Sequence, residues 1–155
     1  QKVLLELLGE HRLFSVLDLH GHFGKTGFHG NCVQQSGFLG YLSQKLGYFQ
    51  IPDCEVGFQQ QKAGTGRTFW EQRFRLERCF VFEFSFFKLD VEVGFESLKE
   101  AGEQLMQGFG EFYGMEEEGR ARYVELENGC KRYSDPCPSK YQENKQFVVQ
   151  RQLLK

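Results

Sequence analysis

Residues 79–87 read CFVFEFSFF. Successive side chains of an extended strand point to opposite faces. Phe80, Phe82, Phe84 and Phe86 therefore share one face, and Cys79, Val81, Glu83 and Ser85 the other. The first face is wholly aromatic and needs a covering layer. The second places a carboxylate, Glu83, within a run of phenylalanines, where an unpaired charge is costly. Glu83 must meet a cation, a metal-bound water or solvent in a cleft. The plainer reading is a salt bridge to Arg73, Arg75 or Arg78. The functional one is a general base beside an activated water.

Upstream, residues 2–12 (KVLLELLGEHR) suit a short amphipathic helix. Residues 13–19 (LFSVLDL) form a mostly apolar run of strand length, of the kind found in sheets covered on both faces. Residues 20–31 (HGHFGKTGFHGN) are rich in Gly and His and predict a loop, with His29 a loop residue. Residues 36–48 set Phe38, Leu39, Leu42 and Leu46 at helical spacing, although three glycines weaken it. Residues 53–61 (DCEVGFQQQ) predict a strand with Cys54, Val56 and Phe58 on one face. KAGTGR reads as a tight turn and TFWEQRFRLER as a short helix. Downstream, residues 95–113 are amphipathic, with Phe95, Leu98, Leu105, Met106 and Phe109 forming an inward stripe. From Met115 the composition turns polar and is broken by Pro and Gly, which predicts an irregular tail, partly mobile or ordered by a partner. The expected fold is α/β, a mixed sheet covered by helices. Residues 1–114 form the α/β unit and 115–155 a polar C-terminal extension.

Composition narrows the functions. The chain has 155 residues and a formal charge of -2, so no basic excess argues for nucleic acid or an anionic membrane surface. No long apolar span or signal-peptide pattern occurs. The five cysteines are odd in number and none shows C-x-x-C spacing, which favours free thiols in a reducing compartment over a disulfide scaffold or a cysteine zinc site.

The candidate chemistry lies at the ends of strands, where ligands gather in open α/β sheets. His20 follows the apolar run directly, and neutral imidazole is a standard zinc ligand. Asp18, two residues earlier, points to the same side of an extended chain and is placed to orient the imidazole. The plainer reading makes His20 and His22 loop histidines bonded to backbone. Arg67 closes the Gly-rich turn, where a guanidinium reads carboxylates bidentately. The turn lacks the G-K-[ST] ending of a phosphate loop. A surface arginine after a turn is the commoner outcome.

In order, the chain offers DLHGH, DCEVGFQQQKAGTGRTFW, FVFEFS and an amphipathic helix. Over residues 13 to about 113 this resembles the second half of the catalytic domain of the cytosolic carboxypeptidases. These are the zinc metallocarboxypeptidases that trim glutamates from tubulin tails. DLHGH and GTGR are each weak motifs; their order and spacing, with Lys62, Trp70 and Glu83, are more specific. The resemblance implies His20 as the third zinc ligand and Glu83 as the glutamate that activates the zinc-bound water. It implies Arg67 as the residue favouring an acidic terminal side chain, and His22 as a wall of the pocket. It further implies zinc as cofactor, acidic protein C-terminal tails as partners, and a cytoplasmic, microtubule- or cilium-associated setting. The family's H-x-x-E motif is absent: His11, His20, His22 and His29 all lack it. The Arg and Asn that grip the substrate carboxylate belong to that same missing half, Phe23 replaces a usual Ser, and FFKLD follows FEFS. Zinc is therefore expected only if ligands come from outside the chain, from a missing N-terminal half or other subunits. The alternative is a non-catalytic structural or interaction subunit derived from the fold. An unrelated small α/β binding module is a third reading.

Overall fold

A computed structural model describes residues 14–22, 27–59, 66–74, 76–85 and 95–135. The sheet has five strands: β1 (Val16–His22), β2 (Phe28–Cys32), β3 (Glu55–Phe58), β4 (Cys79–Ser85) and β5 (Lys131–Ser134). Their spatial order is β1-β4-β2-β3-β5. β4 runs parallel to β1 and antiparallel to β2, while β2–β3 and β3–β5 are parallel pairs. The sheet is thus mixed. Among the described residues four α-helices accompany it: α1 (Phe38–Lys45), α2 (Gly66–Phe74), α3 (Phe95–Gly114) and the short α4 (Glu117–Ala121).

The alternation in β4 decides which side is the core. Phe80, Phe82 and Phe84 are buried with Phe28 of β2, Phe38, Leu39 and Leu42 of α1, and Leu105 and Phe112 of α3. Phe38 stands at the centre, its ring centroid 5.3 Å from Phe80, 5.4 Å from Phe112 and 5.4 Å from Phe109. Edge-to-face and tilted geometries of this kind satisfy the ring quadrupoles and add to area burial. Gly30 lets the layers approach: a Cβ there would lie 2.7 Å from both Leu39 and Phe82.

Several expectations change. Residues 20–31 are not one loop: β1 continues to His22 and β2 begins at Phe28. Among the described residues β1 stands at one edge of the sheet, and its Asp18, Leu19 and His20 are exposed, rather than covered on both faces. Met106 is 53% exposed, so it lies off the inward stripe; Phe112, one and a half turns on, is the fully buried residue. Residues 115–135 are ordered structure and not a tail. β5 pairs in parallel with β3, and Tyr123, Glu127 and Cys130 are buried against α1 and the sheet. The polar composition misled because these three residues are separated by exposed Glu125, Asn128 and Gly129. The expected helix over 2–12, Lys62, Phe86 and residues 136–155 lie outside the described residues. Cys32, Cys54, Cys79 and Cys130 are free and buried. No described helix is long and apolar enough to cross a membrane.

Candidate functional site

Pleating that turns the phenylalanines of β4 to the core turns Glu83 to the other side. The register then assembles its neighbours. His20 of β1 is the parallel partner of Glu83, and His29 of β2 is its antiparallel partner. Three adjacent strands thus carry His20, Glu83 and His29 side by side. His20 Nε2 lies 3.8 Å from Glu83 Oε1, and His29 Nε2 lies 3.4 Å from Glu83 Oε2. Two residues along β2, on the same face, Asn31 donates from Nδ2 to Glu83 Oε1 at 2.9 Å. Its Oδ1 accepts the Glu55 amide at 3.1 Å, so β3 fixes the angle of the Asn31 amide. Gln59 donates to Glu55 Oε2 at 2.8 Å.

Exposure grades across this face. His29 is fully buried, the Glu83 side chain is 18% exposed and that of His20 is 47% exposed. Asp18 Oδ1 stands 3.3 Å from His20 Nδ1, which leaves Nε2 on the side of Glu83. A carboxylate behind one ring nitrogen is the arrangement that orients a metal-binding histidine.

Arg67 departs from its expected setting. It does not end a turn in solvent: α2 begins at Gly66, and Arg67 is only 4% exposed. Burial pulls its guanidinium below the usual range, and Cys32, Glu55 and Glu83 oppose that shift. The guanidinium is thus a buried cation that feels the charges of Glu55 and Glu83. Its Nη1 makes no hydrogen bond. His22 ends β1, with Ser85 as its register partner.

Of the sequence-predicted residues, His20 and Glu83 are brought together, and Arg67 joins them electrostatically. His29, Asn31, Glu55 and Gln59 were missed. The signal for two of them was present: in FHGNC the apolar or small residues 28, 30 and 32 alternate with His29 and Asn31. Gly, His and Asn are turn-type residues, and they masked that period of two.

A catalytic zinc needs three protein ligands. Among the described residues no group of three or more His, Cys, Asp and Glu side chains is arranged to hold a metal. Within the cluster, His20 with Asp18 behind it has the geometry of a single oriented imidazole donor. Comparison with family models, curated proteins and solved structures finds no match for this chain.

Proposed function

We propose that the chain is part of a zinc metallocarboxypeptidase-like domain that removes C-terminal glutamate from acidic protein tails, such as those of tubulin. The observation that carries this reading is the in-register pairing of His20 and Glu83 on adjacent parallel strands, Nε2 to Oε1 3.8 Å. Zinc belongs to this reading only with its remaining ligands supplied from outside this chain. The roles below use the chain's own groups. Glu83, partly exposed and held by Asn31, takes a proton from the attacking water and returns it to the leaving amine. Arg67 Nη1 is the unused donor for the departing glutamate's carboxylate. His20 is the metal ligand, oriented by Asp18. His22 is assigned to the pocket wall on the resemblance alone. A cytoplasmic, microtubule- or cilium-associated setting follows from that substrate.

One observation favours the alternative, a non-catalytic structural or interaction subunit. Both Glu83 oxygens already face partners, Asn31 and His29, and Arg67 is buried, as in a network that serves the fold. The native full-length protein, assayed with zinc on peptides ending in Glu and in Ala, separates the two. The hydrolase reading expects glutamate release, and Glu83→Gln should lower kcat by about 10²- to 10⁴-fold with unfolding unchanged. Absence of release by the wild type, with Glu83→Gln costing only stability, defeats it in favour of the scaffold.

A further inference from the structure

β3 and β5 each begin directly after a cysteine. Glu55 of β3 and Lys131 of β5 are register partners, so Cys54 and Cys130 stand opposite one another on parallel chains. The Lys131 amide donates to the Cys54 carbonyl at 2.9 Å, which carries the pairing back to that position. Both cysteines have extended backbones. Paired strands lie about 4.8 Å apart, within the roughly 4.4–6.8 Å between Cα atoms that a disulfide spans. The two side chains share the face of Val56, and the thiols are hydrogen-bonded to each other. Both are free.

The pair is asymmetric. Cys54 is fully buried and Cys130 is 7% exposed. Burial, and then the bond to Cys130, pushes the Cys54 thiol up. The same bond holds Cys130 below the ordinary thiol range, against its own burial and the charge of Glu127. Cys130 is thus the thiolate-forming, attacking member and Cys54 the protonated one beside it. The other side of Cys54 is taken by the Gly30 amide, which donates to its Sγ at 3.3 Å. Cys32 is in register with Val56, two residues beyond Cys54, and so stands diagonally from it.

We propose that Cys54 and Cys130 are a redox-sensitive dithiol, which hydrogen peroxide converts to a disulfide linking β5 to β3. The oxidant is small enough to reach a thiol that is nearly buried. The Cys130 thiolate attacks one peroxide oxygen; an S–O bond forms, the O–O bond breaks, and the departing hydroxide takes a proton to become water. The Cys54 sulfur then attacks the Cys130 sulfur. The S–S bond forms, the S–O bond breaks, and the hydroxyl leaves with the Cys54 proton as a second water. Two thiols lose two electrons and one peroxide gains them. The bond ties β5 to the sheet, together with the turn whose Glu127 accepts the Leu39 amide at the start of α1. The proposal goes beyond the hydrolase reading and does not depend on it.

The test treats the folded, reduced 155-residue chain with hydrogen peroxide, blocks remaining thiols by alkylation, and maps peptides by mass without reduction. The expected product is a Cys54–Cys130 cross-linked peptide, lost on treatment with dithiothreitol and retained in Cys137→Ser. Amide-exchange protection of Lys131–Ser134 should rise in the oxidised chain and return on reduction. In Cys54→Ala the attacking thiol loses its partner, so Cys130 should stop at sulfenic acid, trapped by dimedone, and pass to sulfinic acid with excess peroxide. In Cys130→Ala, Cys54 should resist peroxide. The wild-type map decides the matter even if either alanine variant fails to fold. A principal cross-link between other cysteines, such as Cys130–Cys137 or Cys32–Cys54, overturns the proposal. So does sulfinic acid at Cys130 of the wild type in place of a disulfide, or full alkylation of Cys54 and Cys130 after peroxide. Protection of β5 unchanged by a cross-link that does form overturns the link between oxidation and the hold on β5.

Discussion

Helix α1 begins at a residue that cannot cap it: Gly37, in the left-handed region at φ 83°, supplies no side-chain hydrogen bond. The cap comes from 88 residues away, where Glu127 Oε1 accepts the Leu39 amide at 3.1 Å. Glu127 lies in the 3₁₀ turn Glu125–Gly129 and is fully buried. Burial raises its carboxyl above the usual glutamate range, while the amides of Gly37, Leu39, Ser36 and Gly40 oppose the rise. Glu127→Ala removes the acceptor and leaves buried amides without a partner, each costing about 1–3 kcal/mol. Adding the lost side-chain burial gives about 3–4 kcal/mol, a large fraction of the roughly 5–15 kcal/mol that holds a domain together. Glu127→Gln keeps an acceptor oxygen and should stay within about 1 kcal/mol of wild type near neutral pH. The sign with pH follows from the raised carboxyl. The folded state holds the proton more tightly than the unfolded state does. This contribution is therefore fully present below the unfolded pKa and is lost as pH rises through the folded value. Urea unfolding of wild type and both variants between pH 4 and pH 8 measures this. Wild-type stability relative to Glu127→Gln should fall across the range. A loss below about 1 kcal/mol for Glu127→Ala, or a difference that grows with pH, refutes the tertiary cap.

Other perturbations test neighbouring parts of the argument. Gly57 has φ 115°, and a Cβ there would come within 1.9 Å of the Tyr133 carbonyl oxygen. Gly57→Ala should destabilise by about 3 kcal/mol or more and strip amide-exchange protection from Lys131–Ser134; unchanged protection contradicts the β3–β5 pairing. Arg67→Ala should destabilise by about 1–3 kcal/mol, because it removes a side chain that is only 4% exposed, and Arg67→Lys should recover only part; a melting temperature equal to wild type would contradict that burial. Glu111 is held at about 2 by Lys45, then by Tyr41 and Gln107. Its ion pairing is therefore present above the ordinary glutamate range and lost only as pH falls toward about 2, and carboxyl NMR giving a midpoint above 4 would break that cluster.

Strand β4 was legible because Phe80, Phe82 and Phe84 share a face at a period of two. α3 was legible through its length and stripe, although Met106 was placed inside on periodicity and lies outside. β2 was illegible. Phe28 and Cys32 are its apolar signal, and Gly30 between them serves packing against Leu39 and Phe82 rather than a turn. β5 was illegible for another reason. Lys131–Ser134 carries almost no apolar pattern, and its place is set by pairing with β3 and by buried Cys130 next to it. In the site, the His20–Glu83 proximity was foreseen from motif order. His29 was not, because turn-type Gly, His and Asn hid the alternation of FHGNC, and its pairing with Glu83 rests on an antiparallel register.

The two faces of the sheet impose opposite demands, and the cluster at Glu83 follows from both. The aromatic face of β4 fixes the strand's orientation, because turning Phe80, Phe82 and Phe84 outward would expose three large rings. With that orientation fixed, Glu83 has no route to the core and must lie opposite it. A lone carboxylate at the centre of a sheet would still be costly, and each adjacent strand answers it. β2 brings His29 and Asn31, β3 holds Asn31 in place through the Glu55 amide, and α2 brings the positive charge of Arg67. On the β1 side the answer is weaker. His20 stands 3.8 Å away, beyond hydrogen-bond reach, and is tied instead to Asp18. The network is therefore tighter toward β2 than toward β1.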